Sequence, residues 1–415
     1  MADPSASGAA GPAAQPRRPA VSVIMANRNG ARFLAAAAGS VLAQTMADLE
    51  LVIADDASGD ESRDIAAGLA RRDPRVRLLP LAAAGGAGAA RNAAIAAASG
   101  DWLAVMDSDD LMHPERLERL LAAAQDLGAD AVADDLIHFG EDPAAAGRTL
   151  LQGLAATAPF VLDAAMLLAC EGADPSLPAF GYLKPLIRRA ALGALRYDTA
   201  LRIGEDFDLY LRLVAAGARF VVVPEPLYLY RRHTASLSHR QSVAGVTAIL
   251  AAHDRFAAAQ PNGGALGPLL AARRRNLERM LRFETLVARI RAGQVAAAAG
   301  ALVRSPRLLA GLARSAADRV RRRAAPPRAG ELRLVLTAAG GGAGAAVPPP
   351  GPGQLALVVP GRPPRVGFPS EPLAPLASRL SALAARHVLH VTGATPETAY
   401  VAAMVPPAAG DAPAA

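Results

Sequence analysis

The sequence predicts an α/β fold: a largely parallel sheet with helices on both faces, followed by a helical C-terminal extension. Three observations carry this expectation. Short apolar, β-branched runs alternate with stretches of helical spacing from residue 20 to about residue 140. Two of those runs end in aspartate clusters, Asp55-Asp56 and Asp107-Ser108-Asp109-Asp110. Near residue 245 the chain changes character, and acids give way to arginines. Ligands of open parallel sheets bind beyond the carboxyl ends of the strands, so both acidic clusters stand where chemistry is expected.

Residues 1–19, rich in Ala, Pro, Gly and Ser, read as a flexible tail. Residues 21–25 are short, apolar and β-branched, which suits a strand buried on both faces. Residues 31–46 place Phe33, Leu34, Val41, Leu42 and Thr45 at helical spacing. A second strand is expected at 49–53, a second helix at 60–70 and a third strand at 76–79. Gly85, Gly86 and Gly88 then turn the chain into a helix that carries Arg91 and Asn92. Their spacing is not that of a phosphate-cradling loop, so they read as turn glycines. The fourth strand is 102–106, and Pro114 opens a helix to about Leu127 from its first position. A strand at 131–139 and an irregular stretch at 150–200 follow. Gly204-Glu205-Asp206 opens an amphipathic helix to about Ala216, followed by a strand at 219–223, the segment Tyr228–Arg232 and a polar loop at 233–240.

The organisation expected is one α/β domain over 20–245, an Arg-rich helical extension over 246–328 and a Gly/Pro-rich linker over 329–361. The segment 362–415 is poorly defined, with a helix at 373–386 and a strand-like run at 387–391. A chain of 415 residues with 52% hydrophobic residues buries a sizeable core, which excludes wholesale disorder. Aromatics are only 4%, so Ala, Leu and Val must fill it. The single cysteine, Cys170, excludes a disulfide framework and a thiolate metal site.

The net charge of +7 divides into −6 over residues 1–240 and +13 over residues 241–415. Of 44 basic residues 43 are arginine, and Lys184 is the one lysine, so a compositional bias discounts arginine abundance as a signal. The basic region still suits an anionic surface. Residues 271–328 hold 15 Arg against 3 acids with almost no aromatics for stacking, which favours peripheral membrane contact over nucleic acid. Arg17 and Arg18 lie at the wrong end for a secretory leader, and Pro348, Pro349, Pro350 and Pro352 break the uncharged run 334–361. A cytoplasmic protein is expected, peripheral at most on the inner face of the membrane.

Asp107-Ser108-Asp109-Asp110 sets three carboxylates within four residues, which repel unless a cation sits among them. Mg²⁺ or Mn²⁺ with oxygen ligands is the natural partner, and such ions complete their shells with substrate phosphates. The site is therefore expected to hold a nucleotide diphosphate. A single strand-end acidic pair is often a turn former or a helix cap; two clusters at the ends of different strands say more.

These motifs together resemble a known family. Val21-Ser22-Val23-Ile24-Met25, Ser40-Val41-Leu42-Ala43-Gln44-Thr45, Asp55-Asp56-Ala57-Ser58, Ala90-Arg91-Asn92 and Asp107-Ser108-Asp109-Asp110 look like the nucleotide-binding half of the bacterial, inverting, family-two GT-A glycosyltransferases. Order and spacing match over about residues 20–120, and more loosely through Glu205-Asp206 to about residue 240. The resemblance implies a GT-A, Rossmann-like fold. It implies that Asp55 contacts the nucleotide base, Asp109 binds the metal and Asp107 binds the ribose or the metal. Asp206 matches the family's general base, with Glu205 beside it, and Arg91 stands near the diphosphate or base. His233 corresponds to a further metal ligand in some relatives. Arg231, Arg232, Ser236 and Lys184 are expected near the diphosphate. Asn27 belongs to the segment that meets the base, but Ala26-Asn27-Arg28-Asn29 replaces the family's Pro-x-Tyr-Asn, so ring stacking from a tyrosine is lost.

The implied activity is metal-dependent transfer of a sugar from a nucleotide-diphosphate sugar, a UDP-sugar above others, to a hydroxyl of a glycan or lipid-linked acceptor. Such a reaction serves polysaccharide, glycolipid or cell-envelope glycan synthesis. Two alternatives stand beside it. A nucleotidyltransferase would normally carry a Gly-rich, basic loop after the first strand, where Asn27-Arg28-Asn29-Gly30 stands. A non-catalytic nucleotide-sugar-binding module would not need Asp109 and Asp206 together.

Overall fold

The computed structural model describes residues 18–142, 145–233 and 241–305, with short pieces at 308–309, 312–313, 331–338, 354–359, 377–378, 380–382, 388–392 and 403–404. Strand and helix alternate as β1 (Val21–Asn27), α1 (Ala31–Leu42), β2 (Leu49–Asp55), α2 (Ser62–Arg72), β3 (Val76–Pro80), α3 (Ala87–Ala97) and β4 (Trp102–Asp107). Then come β5 (Leu111–Met112), α4 (Arg116–Asp126), β6 (Ala131–Gly140), β7 (Phe160–Val161), α5 (Ala164–Cys170), β8 (Leu186–Arg188) and α6 (Arg189–Leu192). Next come α7 (Glu205–Ala215) and β9 (Phe220–Arg232), and three helices follow: α8 (Val243–Ala258), α9 (Gly267–Arg291) and α10 (Val295–Arg304).

The main sheet runs β3-β2-β1-β4-β8-β6-β9-β5, with β7 paired to β9. β3, β2, β1 and β4 are mutually parallel, as are β6 and β9. Alternate residues of β1 face opposite sides. Val21, Val23 and Met25 pack with Leu34 and Val41 of α1 and Leu117 and Leu120 of α4. Ile24 packs on the other face with Ala90 and Ala94 of α3 and Leu209 and Tyr210 of α7. Helices therefore cover both faces, as the continuous apolar strands require. Ala90 and Ala94 are small and, with Ile95, form the apolar face of α3 against the sheet.

Several details differ from the sequence expectation. Helix α1 ends at Leu42 rather than at residue 46. Gln44 leaves the helix to donate to the carbonyls of Ser40 and His113 and to accept from the amide of Leu117, 3.0 Å away. Helix α4 starts at Arg116, two residues beyond Pro114. The strand expected at 219–223 runs on through Tyr228–Arg232 as one strand, β9. Pro224 and Pro226 suggest a break, but the ladder with β6 shifts register between Asp134 and Leu136 and so absorbs residues that cannot donate. Two short strands in the irregular stretch, β7 and β8, and the two-residue β5 pair antiparallel within the sheet.

In the C-terminal region, β10 (Glu331–Ala338), β11 (Gln354–Val359) and β12 (Val388–Thr392) form a parallel three-stranded sheet with β10 in the centre. The linker expected over 329–361 thus contains two strands. Its Gly/Pro-rich middle masked the β-branched and leucine-rich runs at either end. Most of the helix expected at 373–386 and the 234–240 loop lie outside the described residues.

The strand register sets up the site. Asn27 at the end of β1 lies opposite Asp55 at the end of β2, and Ala26 lies opposite Asp107 at the end of β4.

Candidate active site

Two cations and two carboxylates form a closed ring at the carboxyl edge of the sheet. Arg91, on the first turns of α3, sends Nη2 to Asp107 Oδ1 at 2.6 Å and Nη1 to Asp206 Oδ1 at 3.1 Å. Lys184, just before β8, sends Nζ to Asp107 Oδ2 at 2.9 Å and to Asp206 Oδ2 at 2.8 Å. Arg91 Nη1 also reaches Glu205 Oε1 at 2.8 Å. Arg91 lies over the ring of Tyr197, 5.3 Å from its centroid. Arg91 is only 4% exposed.

Burial alone would strip these groups of charge, and the ring prevents it. Desolvation pushes the Asp107 carboxyl up, but Lys184 and Arg91 hold it well below the usual carboxylate range. Desolvation likewise pulls Arg91 and Lys184 down, while the surrounding carboxylates, Asp206 and Asp107 foremost, hold both above their ordinary values. Glu205 moves the other way, raised by burial and by the charge of Asp206 beside it. Glu205 and Asp206 open α7, where the helix N-terminus favours negative charge. Gly204, at φ +83°, makes the left-handed turn that aims them inward.

Beyond Asp107 the chain turns sharply. Asp109 is the most open acid of the turn, with 34% of its side chain exposed, and His233 Nε2 lies 2.8 Å from its Oδ2. Asp110 is buried and points inward, accepting from the Arg231 amide at 2.6 Å and from the Tyr228 hydroxyl at 2.8 Å. Burial and the charges of Asp109 and Asp107 push its carboxyl well above the usual range. Asp107, Asp109 and Asp110 each offer one oxygen within 4.8 Å of the others.

The remaining site residues expected from the sequence separate into other roles. Arg231 is buried between the rings of Phe33 and Phe139, and its Nε donates to the Asp109 carbonyl at 2.6 Å. Its Nη2 donates to the Ala403 carbonyl at 3.0 Å. The guanidinium thus clamps the acidic turn. Burial lowers it to about 10. Ser236 lies outside the described residues. Asn27 donates to Asp55 Oδ1 at 3.1 Å, and Asp55 also accepts from the Ser58 amide and Arg63. Burial raises the Asp55 carboxyl, but these donors outweigh it and hold it low. Asp55 is fully buried among partners of its own chain, so the Asn27–Asp55 pair stands apart from the ring. Gly85 and Gly86 donate to Asp56 at 2.6 and 2.9 Å, a cradle for a carboxylate rather than a phosphate, and Gly86 takes φ +91° to do so.

Comparison with known proteins settles what this edge belongs to. The model of the family described as glycosyl transferase family 2 matches residues 22–165. The succinoglycan biosynthesis protein ExoO of Rhizobium meliloti (strain 1021) is 34% identical over 324 residues, covering 76% of this chain and 90% of that protein. The chain belongs to glycosyl transferase family 2. An Escherichia coli relative named UDP-Glc:alpha-D-GlcNAc-diphosphoundecaprenol beta-1,3-glucosyltransferase WfgD is 42% identical over 98 residues, 24% of this chain and 38% of that one. Among solved structures, S. aureus TarS 1-349 in complex with UDP-GlcNAc shares the fold at a TM-score of 0.54 and 18% identity, over 68% of this chain and 79% of that one.

This glycosyltransferase therefore has the GT-A fold that the motif order implied, and the nucleotidyltransferase alternative falls away. Its acidic turn fits a hard divalent cation: the donors are carboxylate oxygens within 4.8 Å of one another, and an imidazole stands beside the most open of them. Among the described residues no helix is long and apolar enough to cross a membrane. Sequence reasoning placed Lys184 at a diphosphate and missed that it bridges Asp107 and Asp206. It also missed that Asp110 turns inward to Tyr228 and the Arg231 amide, and it missed the buried pair Arg116–Asp134. Lys184 carried a signal that was available, its being the one lysine of the chain.

Proposed function

We propose that this glycosyltransferase is a metal-dependent, inverting enzyme that moves a sugar from a UDP-sugar to a hydroxyl of a growing polysaccharide or lipid-linked glycan. The observation that carries the reading is the joining of Asp107 at the end of β4 to Asp206 at the start of α7 through Arg91 and Lys184. A carboxylate suited to the donor side thereby stands beside one suited to the acceptor side. The naming of one relative for polysaccharide assembly, and of another for a UDP-sugar and a lipid diphosphate acceptor, supports the donor and acceptor classes.

In this reading Asp109 and Asp107, with His233 alongside, hold Mn²⁺ or Mg²⁺. When bound, the cation supplies Lewis-acid stabilisation of the departing diphosphate. Asp206 accepts the proton of the acceptor hydroxyl as its oxygen bonds to the anomeric carbon and the carbon–phosphate-oxygen bond breaks. A single displacement inverts the anomeric centre and releases UDP. Arg91 and Lys184 hold Asp206 in place. Asn27 and Asp55 shape the base end of the cleft through Ser58. The exposed Ile290, Val295, Val303 and Leu309, beside Arg289, Arg291 and Arg304, form the surface for peripheral contact with anionic lipid at the inner membrane face.

The test is incubation with a panel of nucleotide sugars and Mn²⁺, with products read by mass spectrometry. Transfer from one UDP-sugar to a glycan or lipid-linked acceptor supports the reading. Turnover only with other nucleotides, or equal turnover in EDTA, contradicts it.

A further inference from the structure

We infer that Lys184 is a positioning residue that sets the base Asp206 against the donor-side carboxylate Asp107, and that the position demands an ammonium rather than any cation. The inference rests on the proposed roles of Asp107 and Asp206. Three observations support it.

The first is compositional. A chain that uses arginine at 43 of its 44 basic positions keeps lysine at one, and that one is in the site. On the surface, lysine and arginine exchange readily, and the bias of this chain has resolved that exchange toward arginine everywhere else.

The second is geometric. Nζ is 2.8 Å from Asp206 Oδ2 and 2.9 Å from Asp107 Oδ2, and Lys184 is 5% exposed. The other oxygens of both carboxylates are already taken by Arg91. What remains between them is a point-like space. A compact ammonium with three donors fills it, whereas a planar guanidinium fork has no second pair of oxygens to meet.

The third is the mounting of the backbone. Three successive carbonyls are held by three different elements. Leu183 accepts from the hydroxyl of Tyr210 on α7 at 2.8 Å. Lys184 accepts from Arg116 Nη2 on α4. Pro185 accepts from the amide of Val105 on β4 at 3.0 Å. Arg116 is itself fully buried and locked to Asp134, with Nε and Nη2 reaching Asp134 oxygens at 2.9 and 2.7 Å. The lysine is thus bolted both to the helix that carries Asp206 and to the strand that carries Asp107. A side chain whose only duty was to neutralise charge would need none of this.

The single lysine supplies the experiment. Protein labelled with [¹³Cε,¹⁵Nζ]-lysine gives one side-chain signal, that of Lys184, with no assignment needed. The expected result is an ammonium signal protected from exchange, shifted by Asp206→Asn and by Asp107→Asn, and broadened by Mn²⁺ alone. A signal with free-lysine properties that neither substitution moves would overturn the bridge. Kinetics on the full chain supply the second arm. Both Lys184→Arg and Lys184→Gln should lower kcat about 100-fold, the low end for disabling a general base. Donor Kd should stay within about threefold, because a positioning loss falls on turnover. Lys184→Arg turning over within about threefold of wild type would show that any cation suffices and refute the ammonium requirement. Should Lys184→Gln fail to fold, the wild-type signal and Lys184→Arg still decide the matter. Absence of turnover by the wild type with every nucleotide sugar would count against the glycosyl-transfer reading, while the labelled-lysine arm would still judge the bridge.

Discussion

Replacing Arg91 by methionine is the sharpest perturbation of the site's electrostatics. Methionine keeps most of the buried stem and removes the charge. Arg91 is 4% exposed and pairs with Asp107 at 2.6 Å, Glu205 at 2.8 Å and Asp206 at 3.1 Å. Removing one partner of a buried pair leaves an uncompensated charge, at a cost of about 3–5 kcal/mol. Three carboxylates lose a partner here, but Lys184 still serves two of them, so the single-pair range applies. At about 2–4 °C per kcal/mol for a folded unit of this size, the melting temperature should fall by roughly 6–20 °C at neutral pH. The pH dependence follows from linkage. In the wild type, Asp107 titrates below its ordinary value, so its contribution is present at neutral pH and is lost as pH falls through the folded value. In Arg91→Met the Glu205 carboxyl, raised by burial and by Asp206, loses the guanidinium that opposes that rise, so the variant gains relative stability as pH falls. The gap between the two proteins should therefore narrow below about pH 5. Circular dichroism melts from pH 4 to pH 8 would measure it. A variant that melts within about 2 °C of wild type at pH 7, or a gap that widens toward acid, would refute the reasoning.

Other consequences follow from the same structure. Asp109→Ala should remove the Mn²⁺ dependence of UDP-induced thermal stabilisation, and Mn²⁺ affinity equal to wild type by calorimetry would contradict the metal assignment. Asp135 is buried and raised to about 6 by desolvation, so its ionisation costs stability as pH rises from about 4 to 6. The stability of wild type relative to Asp135→Asn should decline by about 2–3 kcal/mol across that window and stay level above it; a pH-independent difference in urea melts would rule this out. A Cβ on Gly100 would lie 2.7 Å from the Ser22 amide and 2.9 Å from the Val21 carbonyl carbon. Gly100→Ala should push β1 from β4 and lower soluble yield or melting temperature sharply, and a wild-type melt would disprove that close approach. Replacing Val295 and Val303, 76% and 80% exposed, by serine should weaken sedimentation with anionic vesicles while leaving transfer to a soluble acceptor intact. Unchanged sedimentation would remove that surface from the account.

The fold was legible in the sequence where its signals are local. Apolar β-branched runs such as 21–25 and 102–106 must be buried on both faces, and the helical spacing between them dictates a parallel sheet with helices on both sides. Elements whose identity depends on tertiary partners were not legible. β8 is three residues long and is a strand only because β4 and β6 flank it. β9 reads as broken at Pro224 and Pro226, since nothing local announces the register shift that admits them. The site divides in the same way. Asp107, Asp109 and Asp206 stood out because acids at strand ends and helix starts have chemical meaning by type and place. Arg231 was expected at the diphosphate because a guanidinium suits phosphate oxygens, and only the folded chain shows the rings of Phe33 and Phe139 enclosing it. Lys184 and Arg116–Asp134 are separated in sequence from what they hold, so only the folded chain reveals the arrangement.

The central claim is that Asp206 takes the acceptor's proton during transfer of a sugar whose nucleotide diphosphate is held at Asp107 and Asp109. The most direct measurement compares wild type and Asp206→Asn in a single preparation, with transfer rate and donor affinity read together on the UDP-sugar that the wild type accepts. The account predicts transfer lowered by at least about 100-fold with UDP-sugar and Mn²⁺ affinity nearly unchanged, and a wild-type product of inverted anomeric configuration. Transfer by Asp206→Asn at the wild-type rate, or a product that retains the donor's configuration, would contradict it.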